Sequence, residues 1–320
     1  MSGAKMKAAI TTAYGLSDVL NIEEVAIPTI ASDEILVEVK AASINPLDWK
    51  IRSGELKMMT GKIAPKILGS DYSGIVSKIG TDINNVKIGN QVFGMVNGMK
   101  VKEGSHAEFI RVKENDIWLK PENIEFEEAA AIPLVALTAH KALIEIAQLS
   151  KGSYVLINGC TGGVGSVAVQ IAKSLGSEVS GICSTNNLEF AKNLGADHVI
   201  DYKTENVLEK PISYDVILDT VGNLKYSQSK KILKPAGLYV TTAATIPAML
   251  FGPLLNVFRQ KKAKLVMNSP NSKTLSEIKS MVENNQIRGH VSKVFKLEDV
   301  REAHDLSERG GFTGKLVLKM

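Results

Sequence analysis

The early part of the chain carries its apolar residues in alternation or in short runs. Residues 6–11, 35–42 and 72–79 each mix β-branched residues with such patterns, which predicts strands. Turn signals separate them at Ile27-Pro28, Asn45-Pro46, Gly69 and Gly89-Asn90. Many short strands with Gly and Pro punctuation predict a partly closed barrel. Near Glu127 the pattern becomes helical, and EEAAAIPLVALTAHKALIEIAQL at 127–149 reads as a helix. Strands and helices then alternate. Strands are expected at 153–158, 178–183, 198–201, 214–219 and 237–242. Helices are expected at 164–175, at 188–194, ended by Gly195, and around 226–233. In the first of these, Val164, Val167, Ala168, Ile171 and Leu175 recur near the helical period. Such alternation makes a doubly wound parallel sheet, an α/β fold. Past about residue 262 come a helix at 273–284, a strand at 292–296, a helix at 297–307 and a strand at 315–319. This tail is expected to rejoin the first domain. The expected division is therefore 1–127 plus 263–320 for a β-rich domain and 128–262 for the α/β domain.

Bulk properties narrow the picture. With 320 residues, 44% of them hydrophobic, the chain can fill two cores. The net charge of +4 is spread along the sequence without a Lys/Arg block, so a nucleic-acid partner is not indicated. The two cysteines, Cys160 and Cys183, exclude a disulfide framework and a four-cysteine zinc lobe. Low cysteine use and a start, MSGAKMKAAI, without an apolar core fit a reducing cytosol. The apolar stretch 246–258 is too short to span a bilayer and is broken by Pro247, Gly252 and Pro253. It reads as a buried or pocket-lining segment, with membrane-surface contact as the lesser reading.

The strongest chemical signal is Gly159-Cys160-Thr161-Gly162-Gly163-Val164-Gly165, which follows a predicted strand and opens a predicted helix. Glycines let a backbone turn tightly against a pyrophosphate, whose charge then meets the N–H groups of the helix start. The spacing is GxxGxxG rather than GxGxxG. At the end of the next strand an acid would accept the ribose hydroxyls of NAD and repel a 2′-phosphate. Cys183-Ser184-Thr185-Asn186-Asn187 stands there, offering hydroxyls and amides, and Tyr202 follows the next strand. This favours NADPH, although Ser184 and Thr185 also suit a helix cap. For a catalytic zinc the chain lacks suitable donors. Both cysteines lie in the cofactor motif, and the five histidines show no paired ligand spacing. Without a Lewis acid, the reaction needs an already electrophilic acceptor, as quinones and α,β-unsaturated carbonyls are, or donors placed at the developing oxyanion.

Several segments together resemble the quinone oxidoreductase and enone/alkenal reductase group of the medium-chain dehydrogenase/reductase superfamily. They include ASINPLDWKIRSG at 42–54, ILGSDYSGIVSKIG at 67–80, AAAIPLVALTAHKAL at 129–143, VLINGCTGGVGSVAVQIAKSLG at 155–176, LGADHVIDY at 194–202 and GKLVL at 314–318. The resemblance implies a Rossmann domain inserted in a GroES-like catalytic domain, NADPH as cofactor and a homodimer. It implies Asn45 and Lys50 on a catalytic loop, with Lys50 near ribose or substrate, and Thr138 near the nicotinamide. Gly162, Gly163, Val164 and Gly165 match the pyrophosphate loop, and Ser184 and Tyr202 match 2′-phosphate contacts. Val221 and Gly222 match an adenosine-side loop, and Ala243, Ala244 and Thr245 a strand end beside the nicotinamide. Lys315 matches a basic residue near the cofactor. Relatives with zinc carry a histidine after the glycine matching Gly69; here Ser70 follows it, which implies no metal. Many relatives place a basic residue at Asn186 or Asn187, and this chain has neither.

By default Lys50 is a surface lysine, and only its family position lifts it. The leading expectation is hydride transfer from NADPH to a quinone or an activated alkene. The alternative is an NADPH-binding structural or regulatory protein of the same fold with little turnover.

Overall fold

The computed structural model describes residues 4–61, 63, 66–243 and 261–320. They divide into two units. The first comprises Met1–Leu134, Ser269–Asn285 and Gly289–Met320; the second comprises Val135–Asn268 and Gln286–Arg288. Ala244, Thr245 and the apolar stretch 246–258 lie outside the described residues.

The first unit opens with β1 (Lys5–Thr11), β2 (Leu20–Ala26), β3 (Glu34–Ile44), β4 (Lys66–Ile67), β5 (Asp71–Ile79), β6 (Gln91–Met95), β7 (Phe109–Lys113) and β8 (Ile117–Leu119). Strands β15 (Val291–Lys296) and β16 (Lys315–Lys319) come from the chain's end. One sheet has the order β2-β1-β4, the other β15-β16-β3-β5-β6-β8, with β7 also pairing β3. The long strand β3 organises this unit. Its first half pairs β7 through Glu34–Glu38, and its second half pairs β16 through Ala41–Ile44. Register shifts at Leu36/Val37 and Val39/Ala41 in its pairing with β5 turn the strand so that it serves both. Val37, Val39, Tyr72, Val92 and Ile110 pack as one core, and Ile44, Ile51, Leu68, Phe295 and Leu316 as another. The second core thus joins residues from both ends of the sequence.

In the second unit, β9 (Tyr154–Asn158), β10 (Glu178–Cys183), β11 (His198–Asp201), β12 (Tyr214–Asp219), β13 (Leu233–Thr241) and β14 (Lys262–Leu265) form one sheet. Every neighbouring pair is parallel, in the order β11-β10-β9-β12-β13-β14. Central β9 is buried from Val155 to Asn158, as expected of a strand covered on both faces. The chain runs outward from β9 through β10 to β11, then returns to β12 on the other side. The order therefore reverses between β9 and β12, where open α/β sheets bind ligands outside the strand carboxyl ends.

The α/β class and the doubly wound parallel sheet match the sequence-based expectation. Strands 178–183, 198–201, 214–219 and 315–319 fall where the pattern put them. Two expectations need correction. The helix expected over 127–149 is three pieces: Phe126–Ala130, Pro133–His140 and a π-helical stretch Lys141–Ile146. Pro133, which lacks an amide proton, begins the second piece and cannot continue the first. The strand expected at 237–242 starts earlier, at Leu233, because Tyr214 pairs Leu233 before a register shift to Val216–Leu238.

Candidate functional site

The glycine segment lies at the carboxyl end of β9 and opens the helix Gly163–Ser174, whose N-cap is Gly162. Three backbone bonds shape the turn. The amides of Gly159 and Cys160 both donate to the Ile182 carbonyl at 3.1 Å, and Gly162 N–H donates to the Gly159 carbonyl at 3.0 Å. Gly159 has φ +78°, a region that disfavours side chains. Gly165 is required for another reason. A Cβ there would stand 2.0 Å from the Gly159 carbonyl oxygen and 2.8 Å from Cys160 Cα, so only glycine lets the helix close onto its own loop. The first amides of a helix have no intrahelical acceptor and carry its positive dipole end. Gly163, Val164 and Gly165 thus present a cradle suited to a pyrophosphate.

The neighbouring strand end is held by an aspartate that the pattern reading treated only as the end of a strand. Asp219, fully buried at the end of β12, accepts from Asn158 Nδ2 at 2.8 Å, Val221 N–H at 3.1 Å and Gly222 N–H at 2.9 Å. Tyr239 Oη lies 2.9 Å from its other oxygen. Asn158 also donates to Asn223 Oδ1 at 2.7 Å. One buried carboxylate therefore ties the loop after β12 to the end of β9, leaving Val221 exposed beside the glycine turn. Buried polar groups are stable when satisfied in this way.

Among the remaining positions of the second unit, Thr138 is buried and its Oγ1 accepts from Asn268 Nδ2 at 3.2 Å. Ser184 is partly buried at the N-cap of the turn Thr185–Asn187, Tyr202 is exposed after β11, and Ala243 is exposed. Cys160 and Cys183 are both free, buried thiols. The Cys183 thiol and then burial push the Cys160 thiol up.

The first unit assembles a different cluster. Helix Pro46–Ser53 begins with a capping box in which the Asn45 amide N–H donates to Asp48 Oδ2 at 2.7 Å. The Asn45 side chain points inward: Nδ2 donates to Asp71 Oδ2 at 3.0 Å and Oδ1 accepts from Lys315. Lys315 also donates to the Ile44 carbonyl at 3.0 Å and lies 3.7 Å from Asp71. Asp71 further accepts from Ser43 Oγ at 2.8 Å and from the Leu134 amide at 2.9 Å. Lys315, expected near the cofactor, is thus a buried ammonium engaged within its own unit, because β16 pairs β3 and brings it under the Asn45 turn. Asn45, at 1% exposure, is likewise part of the scaffold. Burial pushes the Lys315 ammonium down and pushes the Asp48 carboxyl up to about 7. Lys50, in the same helix, is only partly buried, its ammonium 5.4 Å from the Trp49 ring centroid.

The described residues contain no group of three or more His, Cys, Asp or Glu side chains placed to hold a metal ion. At Asn45 and Ser70 stand an amide already engaged on both ends and a buried hydroxyl. These residues do not fit a catalytic zinc, which takes thiolate, imidazole or carboxylate donors. No helix among the described residues is long and apolar enough to cross a membrane.

Two families of known proteins match parts of this chain. Residues 31–122 match the alcohol dehydrogenase GroES-like domain, and residues 194–318 match a family described as zinc-binding dehydrogenase. The 2-methylene-furan-3-one reductase of Solanum lycopersicum is 36% identical over 98% of this chain and 79% of its own. The NADPH-dependent alkenal/one oxidoreductase of Arabidopsis thaliana, a chloroplastic protein, is 34% identical with the same coverage. The solved quinone oxidoreductase of Coxiella burnetii superposes with a TM-score of 0.91 at 31% identity, covering 99% of this chain and 100% of that one.

Proposed function

The chain belongs to the quinone oxidoreductase and alkenal/one reductase group of the medium-chain dehydrogenase/reductase superfamily, and on that premise we propose that it reduces a quinone or an α,β-unsaturated carbonyl with NADPH and without zinc. The observation that carries this reading is the glycine cradle, in which Gly165 admits the helix start against the Gly159 turn. Gly162, Gly163, Val164 and Gly165 hold the pyrophosphate, Val221 and Gly222 border the adenosine side, and Thr138 and Ala243 lie toward the nicotinamide. Ala244 and Thr245 join them in this assignment. Ser184 and Tyr202 take the 2′-phosphate.

When bound, NADPH supplies the hydride. The chain's part is to orient the acceptor and to meet the charge that develops on its oxygen. Lys50 is assigned that role, since its ammonium is only partly buried and sits in a helix whose first turn is fixed from below. Asn45 is assigned as the positioning residue of that turn, acting through Asp71 and Lys315 rather than on substrate. The zinc-free reading is supported by the amide at Asn45 and the hydroxyl at Ser70. Hydride then goes to a conjugated carbon or a quinone, where no Lewis acid is needed. The resemblance further supports a homodimer, which light scattering after gel filtration checks, and low cysteine use fits a reducing cytosol.

The test is steady-state NADPH oxidation with a benzoquinone, a naphthoquinone, a linear enone and an enal, each with and without chelator, with NADH in parallel. Chelator-insensitive turnover is expected. Saturable NADPH binding with no turnover across the panel would instead favour the binding-protein alternative.

A further inference from the structure

The parallel register of β10 and β11 places Cys183 level with Asp201, and the Tyr202 amide donates to the Cys183 carbonyl at 3.2 Å. Ser184 and Tyr202 therefore leave the sheet side by side, and a carboxylate, Asp201, ends β11 one strand over from the end of β10, where an acid discriminates against a 2′-phosphate. Residues 184–187 alone do not reveal it. The geometry withdraws this acid from the surface. Asp201 is 5% exposed, Oδ2 accepts from Thr185 Oγ1 at 2.6 Å, and Oδ1 accepts from the Lys203 amide at 3.0 Å. The Lys203 side chain is exposed and carries no hydrogen bond or ion pair among the described residues. Its charge is close enough to Asp201 to help hold that carboxyl below its usual range, after the Thr185 hydroxyl and the Lys203 amide. The next acid along, Glu205, is paired with Lys210.

Resting on the NADPH reading above, we propose that Lys203 is the cation that binds the 2′-phosphate, and that Thr185 permits this by holding Asp201 away from it. A phosphate monoester carries nearly two negative charges at neutral pH, and hydroxyls alone do not balance them. Residues 184–187 carry no charge. Lys203 supplies it from the turn after the adjacent strand, beside the hydroxyls of Ser184 and Tyr202.

The test is calorimetric titration of the full chain with adenosine 2′,5′-bisphosphate and with adenosine 5′-monophosphate. Thermal melts verify folding of each variant. Wild type should prefer the bisphosphate, and Lys203→Met should weaken bisphosphate binding about tenfold while leaving the monophosphate unchanged. Thr185→Val should reduce the same preference by releasing Asp201. If wild type shows no preference, the NADPH reading itself fails. If wild type prefers the bisphosphate and Lys203→Met keeps that preference, or loses both ligands equally, the assignment of Lys203 is overturned. An unchanged preference in Thr185→Val overturns the role given to Thr185.

Discussion

Each unit fixes a functional turn with a buried carboxylate, but the two do so with different partners. In the second unit Asp219 is satisfied by neutral donors: two backbone amides, an asparagine and a tyrosine hydroxyl. In the first, Asp71 lies 3.7 Å from the Lys315 ammonium, with Asp48 close by, and all three are nearly inaccessible to water. Neutral donors, two of them amides of the loop itself, leave no charge unpaired when one of them is lost. A buried ion pair is stable only while both members are present. The comparison says that the cofactor cradle depends on backbone shape, whereas the turn carrying Lys50 depends on charge balance at its base.

Removing one member of the pair should produce the largest effect. Asp71→Ala leaves Lys315 buried and unpaired, and should cost about 3–5 kcal/mol in urea unfolding. The double variant Asp71→Leu/Lys315→Met should recover much of that loss; equal damage in both would argue against charge as the organising force. Next comes the pH dependence. Burial raises the Asp48 carboxyl from 3.8 to about 7, so the folded chain holds a proton that the unfolded chain releases. This contribution to stability is complete below about pH 3.8 and declines as the pH rises through about 7. The slope from this group is at most about 1.4 kcal/mol per pH unit. Asp48→Asn should flatten that segment of the stability profile, and an unchanged slope would remove Asp48 from the account.

The second unit's counterpart is Gly165→Ala, whose Cβ would meet the Gly159 carbonyl oxygen at 2.0 Å. NADPH affinity, measured by quenching of protein fluorescence, should fall by roughly one to two orders of magnitude, matching about 1–3 kcal/mol of forced displacement. The smallest effect is expected from Tyr239→Phe, which removes one neutral donor from Asp219 and should cost about 1 kcal/mol in unfolding with NADPH binding retained. A larger loss there than in Asp71→Ala would reverse the contrast between the two devices.

The same contrast explains what could be read in advance. The glycine cradle is contiguous, Gly159 to Gly165, and its strand and helix announce themselves by period. The sheet of the second unit was legible for the same reason. The cluster beneath Asn45 was not, because its members are distant in sequence: Asn45 and Asp71 are 26 residues apart, Asn45 and Lys315 270. No local pattern marks a lysine that will be buried by strand pairing, and only the resemblance singled out Lys315. Asp201 escaped likewise, since only the register of β10 against β11 brings it level with Cys183. Strands β6, β7 and β8 offer only short runs without clear alternation, and in β2 the adjacent Glu23 and Glu24 interrupt the alternation.

The most direct test of the central claim is deuterium transfer. The protein is incubated with a linear enone and NADPH deuterated at C4 of the nicotinamide, each face in turn, with chelator present, and the product is examined by mass spectrometry and NMR. The account predicts one deuterium on the β-carbon of the saturated ketone from one cofactor face only. Cofactor binding without deuterium in any product, here and with quinone reduction followed in parallel, would contradict it.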